Sequence, residues 1–387
     1  MRIGYLYNLE VYPPKGGNHR HVVELIQGFL EFGHHVAVVG DSTMPGVENF
    51  GKDLEDLKRF ISSIDVLYVR IDARLTRQWD ELANCMGMVG NRPVVWEINS
   101  PSNETLAYSW LGGKTAEPGN TKESVLRRFR RWVHASKKIP GIFWEERHRK
   151  RLAKRVTCAI CVSTALGEYA YSGLGIKDVL VLPNGGPLIS ELEISERRSR
   201  RQRKGFTVLY SGSAMYPWQG LDYLAGAIAI AEQEAPDMTF VLAVNQRTPS
   251  LPKSNNVIIQ EGLNREEILD AICAADVCVA LHPEYFWSAY KFHGSPMKLF
   301  EYMACMAPSL TSNLGQMREI IRDGDDGVLC ENNQQDIFRK LVYLRDNPEL
   351  AEIIGRKGWE RVQTEFSWRN NVIATLHVFE RLLEVAE

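Results

Sequence analysis

No stretch of the sequence approaches the roughly 18 consecutive apolar residues that a membrane-spanning helix requires. The opening "MRIGYLYNLEVYPPKGG" carries one Arg and then a mixed run broken by Glu10 and prolines, without the continuous apolar core of a signal peptide. An intracellular, cytoplasmic protein is therefore expected. An excess of charge of one sign is absent: 46 Lys and Arg stand against 48 Asp and Glu, and the net charge of −2 favours no class of partner. At 44% hydrophobic and 24% charged residues, the composition excludes a disordered or collagen-like chain. A zinc site is also missing. Cys158 and Cys161 form a C-x-x-C, but "VTCAICVST" reads as a strand, where positions three apart face opposite sides, and no second Cys/His pair stands at zinc spacing. The seven cysteines, most of them in apolar runs such as "DVCVAL" and "YMACMA", read as buried reduced thiols. The carboxylates of "DGDDG", Asp323, Asp325 and Asp326, read as a polar turn rather than a metal site, and no metal or cofactor is expected.

What is present is alternation. The strand "MRIGYLYN" leads through the turn-rich "PPKGGNHR" to "HVVELIQGFLEFGHHVAVVG", where Val23, Leu25, Ile26, Leu30 and Phe32 have helical spacing, Gly33 stops the helix and "HVAVV" is the next strand. "IDVLYVRI", "PVVWEINS", "TCAICVST" and "VLVLPNGG" continue the pattern. A second series runs from "FTVLYSGSA" through "MTFVLAVN", "NVIIQEG", "DVCVALHP" and "SLTSN" into a long helical region, Asp336 to Val385. Strands alternating with helices imply an α/β fold with two doubly wound, Rossmann-like domains, and 387 residues suit two such cores with a cleft between them. The charged "GPLISELEISERRSRRQRKG" reads as the linker. The expected division is 1–186, an N-terminal Rossmann-like domain; 187–206, the linker; 207–365, a C-terminal Rossmann-like domain; and 366–387, a terminal helix.

In such sheets ligands lie beyond the carboxyl ends of the strands, and three loops there carry candidates. Gly16 and Gly17 let backbone amides approach an anion at a helix start, although glycine is also ordinary turn chemistry and the pattern is not the dinucleotide G-x-G-x-x-G. Ser211, Gly212 and Ser213 in "YSGS" can contact phosphate oxygens or merely cap the following helix. In "GSPMKLFEYM", Ser295 reads as an N-cap and Pro296 as the first helical residue. Lys298 then lies in the first turn, where the helix dipole disfavours a cation by roughly 0.3–1 kcal/mol unless an anion sits in front of it. Glu301, one turn on, can accept hydrogen bonds from ribose hydroxyls or form a solvated ion pair with Lys298.

The ordered set "GGNHRHVVELIQGFLEFGHHVAVV", "VLPNGG", "YSGS", "GLNREEILDAICAADVCVAL", "SPMKLFEYMACMAP" and "REIIRDGDDGVL" resembles the retaining GT-B glycosyltransferases of family 4, also called group 1, over nearly the whole chain. The resemblance implies an acceptor site in the N-terminal domain 1–186, a nucleotide-sugar substrate held mainly by the C-terminal domain 207–365, a last helix 366–387 that crosses back to the N-terminal domain, and metal-independent chemistry. Gly16 and Gly17 would face the donor phosphate and sugar. Ser295, Met297 and Lys298 would surround the diphosphate, Glu301 would bind the ribose, and Gly262 and Leu263 would offer backbone groups to the base. Pro183 and Asn184 would mark the hinge. The chain departs from the family pattern in three respects. His293 stands where the first Glu of E-x-x-x-x-x-x-x-E belongs, Ser213 and Gln219 replace the usual basic donor pair, and Asn99 replaces a His near the anomeric centre. Lys298, His293 and Asn99 are the catalytic candidates by position; Lys298 is the evident cation, and Asn99, as an amide, can hydrogen-bond a sugar hydroxyl but cannot shuttle a proton.

One feature lies outside this scheme. Residues 122–155 hold 13 Lys and Arg against 3 Glu, giving +10 while the rest of the chain carries −12, with Trp132, Ile142, Phe143 and Trp144 interleaved. Such a tract suits an anionic lipid surface or a solvated helix with a partly buried aromatic face, and no nucleic-acid motif accompanies it. The expected activity is transfer of a glucose-type sugar from a UDP-sugar to a glycan or lipid-linked acceptor in surface polysaccharide synthesis, with peripheral attachment to the inner face of the membrane. The alternatives are a sugar-nucleotide-binding subunit without catalysis and a UDP-sugar epimerase.

Overall fold

The computed structural model describes residues 1–7, 12–14, 16–40, 42–71, 79–102, 133, 136–137, 139–200, 205–249, 251–285 and 288–386, with Asn18, Pro217 and Ala386 as backbone alone. Two parallel sheets organise it. The first contains β1 (Arg2–Leu6), β2 (His35–Val39), β3 (Val47–Phe50), β4 (Val66–Arg70), β5 (Val94–Ile98), β6 (Cys158–Cys161) and β7 (Val179–Val181) in the order β3-β2-β1-β4-β5-β6-β7. The second contains β8 (Phe206–Gly212), β9 (Met238–Val244), β10 (Val257–Glu261), β11 (Val277–Ala280), β12 (Ser309–Ser312) and β13 (Val328–Cys330) in the order β10-β9-β8-β11-β12-β13. Strands such as "VLYVR" and "VVWEI" are buried along their whole length, as helices on both faces of a parallel sheet require. This is the two-domain GT-B architecture that the resemblance implies.

The first sheet carries α1 (Gly17–Glu31), α2 (Leu54–Ser63), α3 (Trp79–Met88), α4 (Ile139–Ala153) and the short α5 (Thr164–Glu168). The second carries α6 (Glu191–Ser199), α7 (Leu221–Glu234), α8 (Arg265–Cys273), α9 (Met297–Ala304), α10 (Gly315–Ile320), α11 (Gln334–Asp346) and α12 (Pro348–Thr364). A last helix, α13 (Trp368–Ala386), returns to the first domain. Its Val372, Leu376, Phe379 and Leu382, at helical spacing, complete the core formed by α1 and β1. Phe379 meets Phe29 and Tyr68 at ring-centroid distances of 5.8 and 5.6 Å. Gly28 makes the close approach possible, because a Cβ there would stand 2.3 Å from Val372 Cγ2.

The two chain crossings run side by side: Gly186 N–H donates to Phe366 O at 2.7 Å and Trp368 N–H to Gly186 O at 3.1 Å. The expected linker 187–206 is not a tether. Ser190 Oγ accepts from Glu193 N–H at the start of α6, Ile194 is buried in the second domain, and Arg197 pairs with Glu193, Glu266 and Asp270. The capping pattern S-x-x-E and the i,i+4 Glu193–Arg197 pair make this charged segment a helix docked on α8.

All seven cysteines are free and buried. Cys158 and Cys161 face the cores on opposite sides of the first sheet, as strand alternation demands.

Candidate active site

Both sheets reverse strand order beside their first strand, between β1 and β4 and between β8 and β11. Those reversals open crevices at the strands' carboxyl ends, and the loops carrying the candidates leave β1, β8 and β11. In the second domain β8 ends at Gly212, whose missing side chain admits Lys298: a Cβ there would stand 2.9 Å from Lys298 Nζ. The Nζ donates to Gln219 Oε1 at 2.5 Å and lies 4.2 Å from the centroid of the Tyr210 ring. Tyr210 in turn donates to Ser213 O at 2.9 Å. Burial pushes the Lys298 pKa down to about 7, with Glu301 pulling weakly the other way. A half-desolvated ammonium beside a neutral amide and a ring face lacks a counter-charge, and a phosphate would supply one.

Helix α9 offers its N-terminus at the same place. Pro296, not Ser295, holds the N-cap position, and no side chain caps the helix. Ser295 cannot cap because its Oγ accepts from the Asn184 N–H at 2.9 Å, at the crossing between domains. The free amide dipoles of α9 therefore face the cleft, with no acidic residue in the first turn. Opposite stands the N-terminus of α1, also uncapped and without an acidic residue in its first turn. Gly16, at φ +96°, makes the turn into it, and a Cβ on Gly17 would stand 3.2 Å from Met297 Sδ. The Gly17–Met297 approach brings the two open helix ends together, and Lys298 stands in the first turn of α9, which is an arrangement suited to an anion.

Lys298 and Glu301 do not pair with one another: Glu301 is gripped by Arg265 at the start of α8. That ion pair also brings Glu301 beside the "GLN" turn, where Gly262, at φ +68°, uses its N–H on Val244 O at 3.0 Å and Leu263 packs against the second domain's core. The Gly262 amide is thereby spent, which leaves the Gly262 carbonyl and the Leu263 backbone as the groups the turn can offer. Ser211 is a correction. It is buried, its N–H donates to Tyr302 Oη at 2.9 Å and its hydroxyl bonds the same atom at 3.1 Å, so it faces the sheet's interior and braces α9 instead of contacting a ligand.

His293 is buried in the β11–α9 loop with Nδ1 against Lys291 O at 3.1 Å and its ring 5.2 Å from that of Tyr285. A carbonyl can only accept, so Nδ1 carries the hydrogen and Nε2 is left as an acceptor. Burial lowers the pKa to about 4, so the ring is neutral at pH 7. The neighbouring His282 is likewise neutral, its pKa lowered to about 3 by burial and by Lys298, with Nδ1 donating to Trp218 O at 2.7 Å. Ser163 of the first domain donates to His293 O at 2.7 Å, Thr164 bonds Glu319 at 2.8 Å and Gln316 reaches Val162 O, so the domains also touch on this side. Asn99 stands half-buried just past β5 and makes no hydrogen bond to Lys298 or His293 among the described residues.

The DGDDG carboxylates serve the turn: Asp323 accepts from Leu329 N–H at 2.8 Å, Asp325 meets Lys357 at 2.5 Å and Asp326 meets Arg361 at 2.7 Å. Of the basic tract, most of 122–138 lies outside the described residues. In α4, Ile139 and Phe143 are exposed, the latter at 72%, whereas Arg149 is buried and donates to Ser100 O at 2.8 Å. Trp144 stacks on His148 at 3.8 Å. Sequence reasoning missed Tyr210, Arg265 and His21. All three stand in motifs already singled out, Tyr210 on a strand and Arg265 and His21 on helices, and only the local register and the packing between segments would have marked them.

Residues 205–347 match the family model described as glycosyl transferases group 1. MJ1178 of Methanocaldococcus jannaschii, an uncharacterized glycosyltransferase, is 28% identical over 171 residues, covering 44% of this chain and 46% of its own. The chain thus spans about half the length of that relative. Sucrose-phosphate synthase from Thermosynechococcus elongatus shares the fold over 99% of both chains, with a TM-score of 0.66 at 14% identity. Anabaena HepE in complex with UDP-glucose does so over 98% of this chain and 100% of its own, with a TM-score of 0.65 at 16% identity.

Proposed function

We propose that this chain is a GT-B glycosyltransferase of group 1 that takes a sugar from a nucleoside-diphosphate donor held mainly by its C-terminal domain. The observation that carries the reading is the approach of the open N-termini of α1 and α9, through Gly17 and Met297, with the buried Lys298 in the first turn of α9. Each supplies positive potential; neither helix has an acidic residue in its first turn, and Glu301 is the carboxylate that acts on Lys298. Glu301 and the Gly262–Leu263 turn flank that approach, where a ribose and base would lie. A UDP-sugar of the glucose type is the donor we favour, supported by the likeness of fold to HepE, whose structure holds UDP-glucose.

The chemistry we assign is retaining and independent of metal. The bond from the anomeric carbon to the diphosphate oxygen breaks, the acceptor oxygen bonds that carbon on the same face, and the departing β-phosphate oxygen takes the acceptor's proton. Lys298 and the two helix ends stabilise the charge that grows on the diphosphate. Neither Asn99 nor neutral His293 supplies a proton. His293 Nε2 is an acceptor for a sugar hydroxyl, and Asn99 can hydrogen-bond one. The acceptor would be a glycan or lipid-linked glycan for a surface polysaccharide, met at a membrane surface through the exposed side of α4.

A thermal-shift panel of UDP, GDP, ADP and their sugars tests donor binding, since a ligand at a hundred times its Kd stabilises by about 2.7 kcal/mol. Nucleotide release that requires an acceptor supports transfer. Binding without release from any donor would make the chain a binding subunit, and a new sugar isomer without release would make it an epimerase. No observation favours either of these.

A further inference from the structure

We propose that His21 and Asn184 are positioning residues, forming a buried relay that ties the N-terminal core to Ser295 and turns the Ser295 hydroxyl towards the donor diphosphate. The proposal rests on the donor reading above. The relay starts at His21, beside Glu97 on β5, which is buried and takes the Arg70 guanidinium and the hydroxyls of Tyr68 at 3.0 Å and Tyr5 at 3.4 Å. His21, in the second turn of α1, places Nε2 2.9 Å from Glu97 Oε1 and Nδ1 2.6 Å from Asn184 Oδ1. Asn184 then donates from Nδ2 to Ser295 O at 2.6 Å and from its backbone N–H to Ser295 Oγ at 2.9 Å.

The direction of each bond follows from what each atom can do. The Ser295 carbonyl only accepts, so the Asn184 amide turns its NH₂ towards Ser295 and its oxygen towards His21. His21 Nδ1 therefore carries hydrogen; burial and the nearby Arg70 guanidinium keep the ring neutral, so Nε2 has none to give, its approach to Glu97 is a contact and not a hydrogen bond, and the hydrogen-bonded relay runs from His21 through Asn184 to Ser295. Ser295 Oγ accepts from Asn184 and keeps its own proton to give, one residue before the α9 N-cap and three before Lys298. Ser295 is thereby fixed at both its carbonyl and its hydroxyl.

Three separate segments meet here: α1, the hinge and the β11–α9 loop. Apolar side chains would hold them together without the cost of burying Arg70, Glu97 and His21. What the polar chain adds is orientation. The other contacts of the hinge agree, since Asn371 of α13 donates to Pro183 O at 2.7 Å and the His21 ring lies edge-on to Trp368 at 5.0 Å.

The test is a double-mutant cycle on the full-length chain with Asn184→Ala and Ser295→Ala, titrating by calorimetry the nucleoside diphosphate that best stabilises the wild type, and its nucleoside. A hydrogen bond to a charged phosphate is worth roughly tenfold or more in affinity. Each single variant is expected to weaken the diphosphate about tenfold, the double variant to lose less than about threefold beyond Ser295→Ala, and the nucleoside to bind unchanged. Additive losses, an equal loss for the nucleoside, or an unaltered Ser295→Ala would overturn the relay. If the wild type binds none of UDP, GDP and ADP, it is the donor reading that fails, and hydrogen exchange of the unliganded chain still decides the relay. His21→Gln is expected to speed exchange in residues 294–299 more than in β12 of the same domain. Equal changes in both would overturn it.

Discussion

Lys298 offers the sharpest quantitative handle on the site. Its pKa is lowered from 10.5 to about 7 in the unliganded chain, so at pH 8 only about a tenth of the molecules carry that charge. A phosphate charge about 4 Å away, at the effective dielectric of a protein surface, attracts the ammonium by about 4 kcal/mol, or about three pH units. The bound lysine would then be almost fully protonated at pH 8. Binding of a nucleoside diphosphate should take up about 0.9 proton at that pH and about 0.5 at pH 7. At pH 8 the terminal phosphate, with a second pKa near 6, has already lost its own proton, so the uptake belongs to the protein. Calorimetry at pH 8 in two buffers of different ionisation enthalpy measures it directly. In Lys298→Met the uptake should vanish and the affinity fall. The same substitution should stabilise the unliganded protein below pH 7. There the unfolded chain binds this proton more tightly than the folded one, a cost present below the folded pKa and lost as pH rises towards the unfolded value. After discounting for partial exposure the gain is about 2 kcal/mol. Wild-type uptake near zero at pH 8, or uptake unchanged in Lys298→Met, would refute the placement of the phosphate at this lysine.

Glu301→Ala should weaken nucleoside and nucleoside diphosphate by the same factor, about tenfold, because its contact is with the ribose, whereas Lys298→Met should weaken only the diphosphate; paired titrations distinguish them. Gly28→Ala forces a Cβ to within 2.3 Å of Val372 Cγ2 and should destabilise by roughly 1–3 kcal/mol in urea, with Val372→Ala in the same chain restoring most of the loss. His282 and His293 are held neutral with pKa values lowered to about 3 and about 4. As pH falls below 6.5 the unfolded state gains protons that the folded state refuses, so each should cost up to about 1.4 kcal/mol of stability per pH unit until its folded value is reached. His293→Gln should flatten that slope between pH 6.5 and 4, read from urea midpoints.

The alternation of strand and helix was legible because both periods are strong in a chain whose strands are buried on both faces. The exceptions share a cause. Strand β3, "VENF", is a half-exposed edge of four residues with two polar ones, too short to carry a period. Helix α6 hides a single buried aliphatic, Ile194, and buries Arg197 through three carboxylates, so a pattern that counts Arg as solvent-facing reads it as linker. The same limit governs the site. Lys298 was visible because a cation in the first turn of a helix is out of place. Ser211 looked equally suited to phosphate, yet strand register turns it inward to Tyr302. Register is a property of a neighbour ninety-one positions away, and so is the pairing of His21 with Asn184, separated by 163 residues. Local chemistry can nominate a side chain as a ligand; which of its atoms are already spent is decided by contacts between segments. Gln219 makes the point from the other side: as a replacement for a basic residue it read as a loss, whereas its oxygen, 2.5 Å from Nζ, holds Lys298 in place without neutralising it, leaving the charge for the ligand to answer.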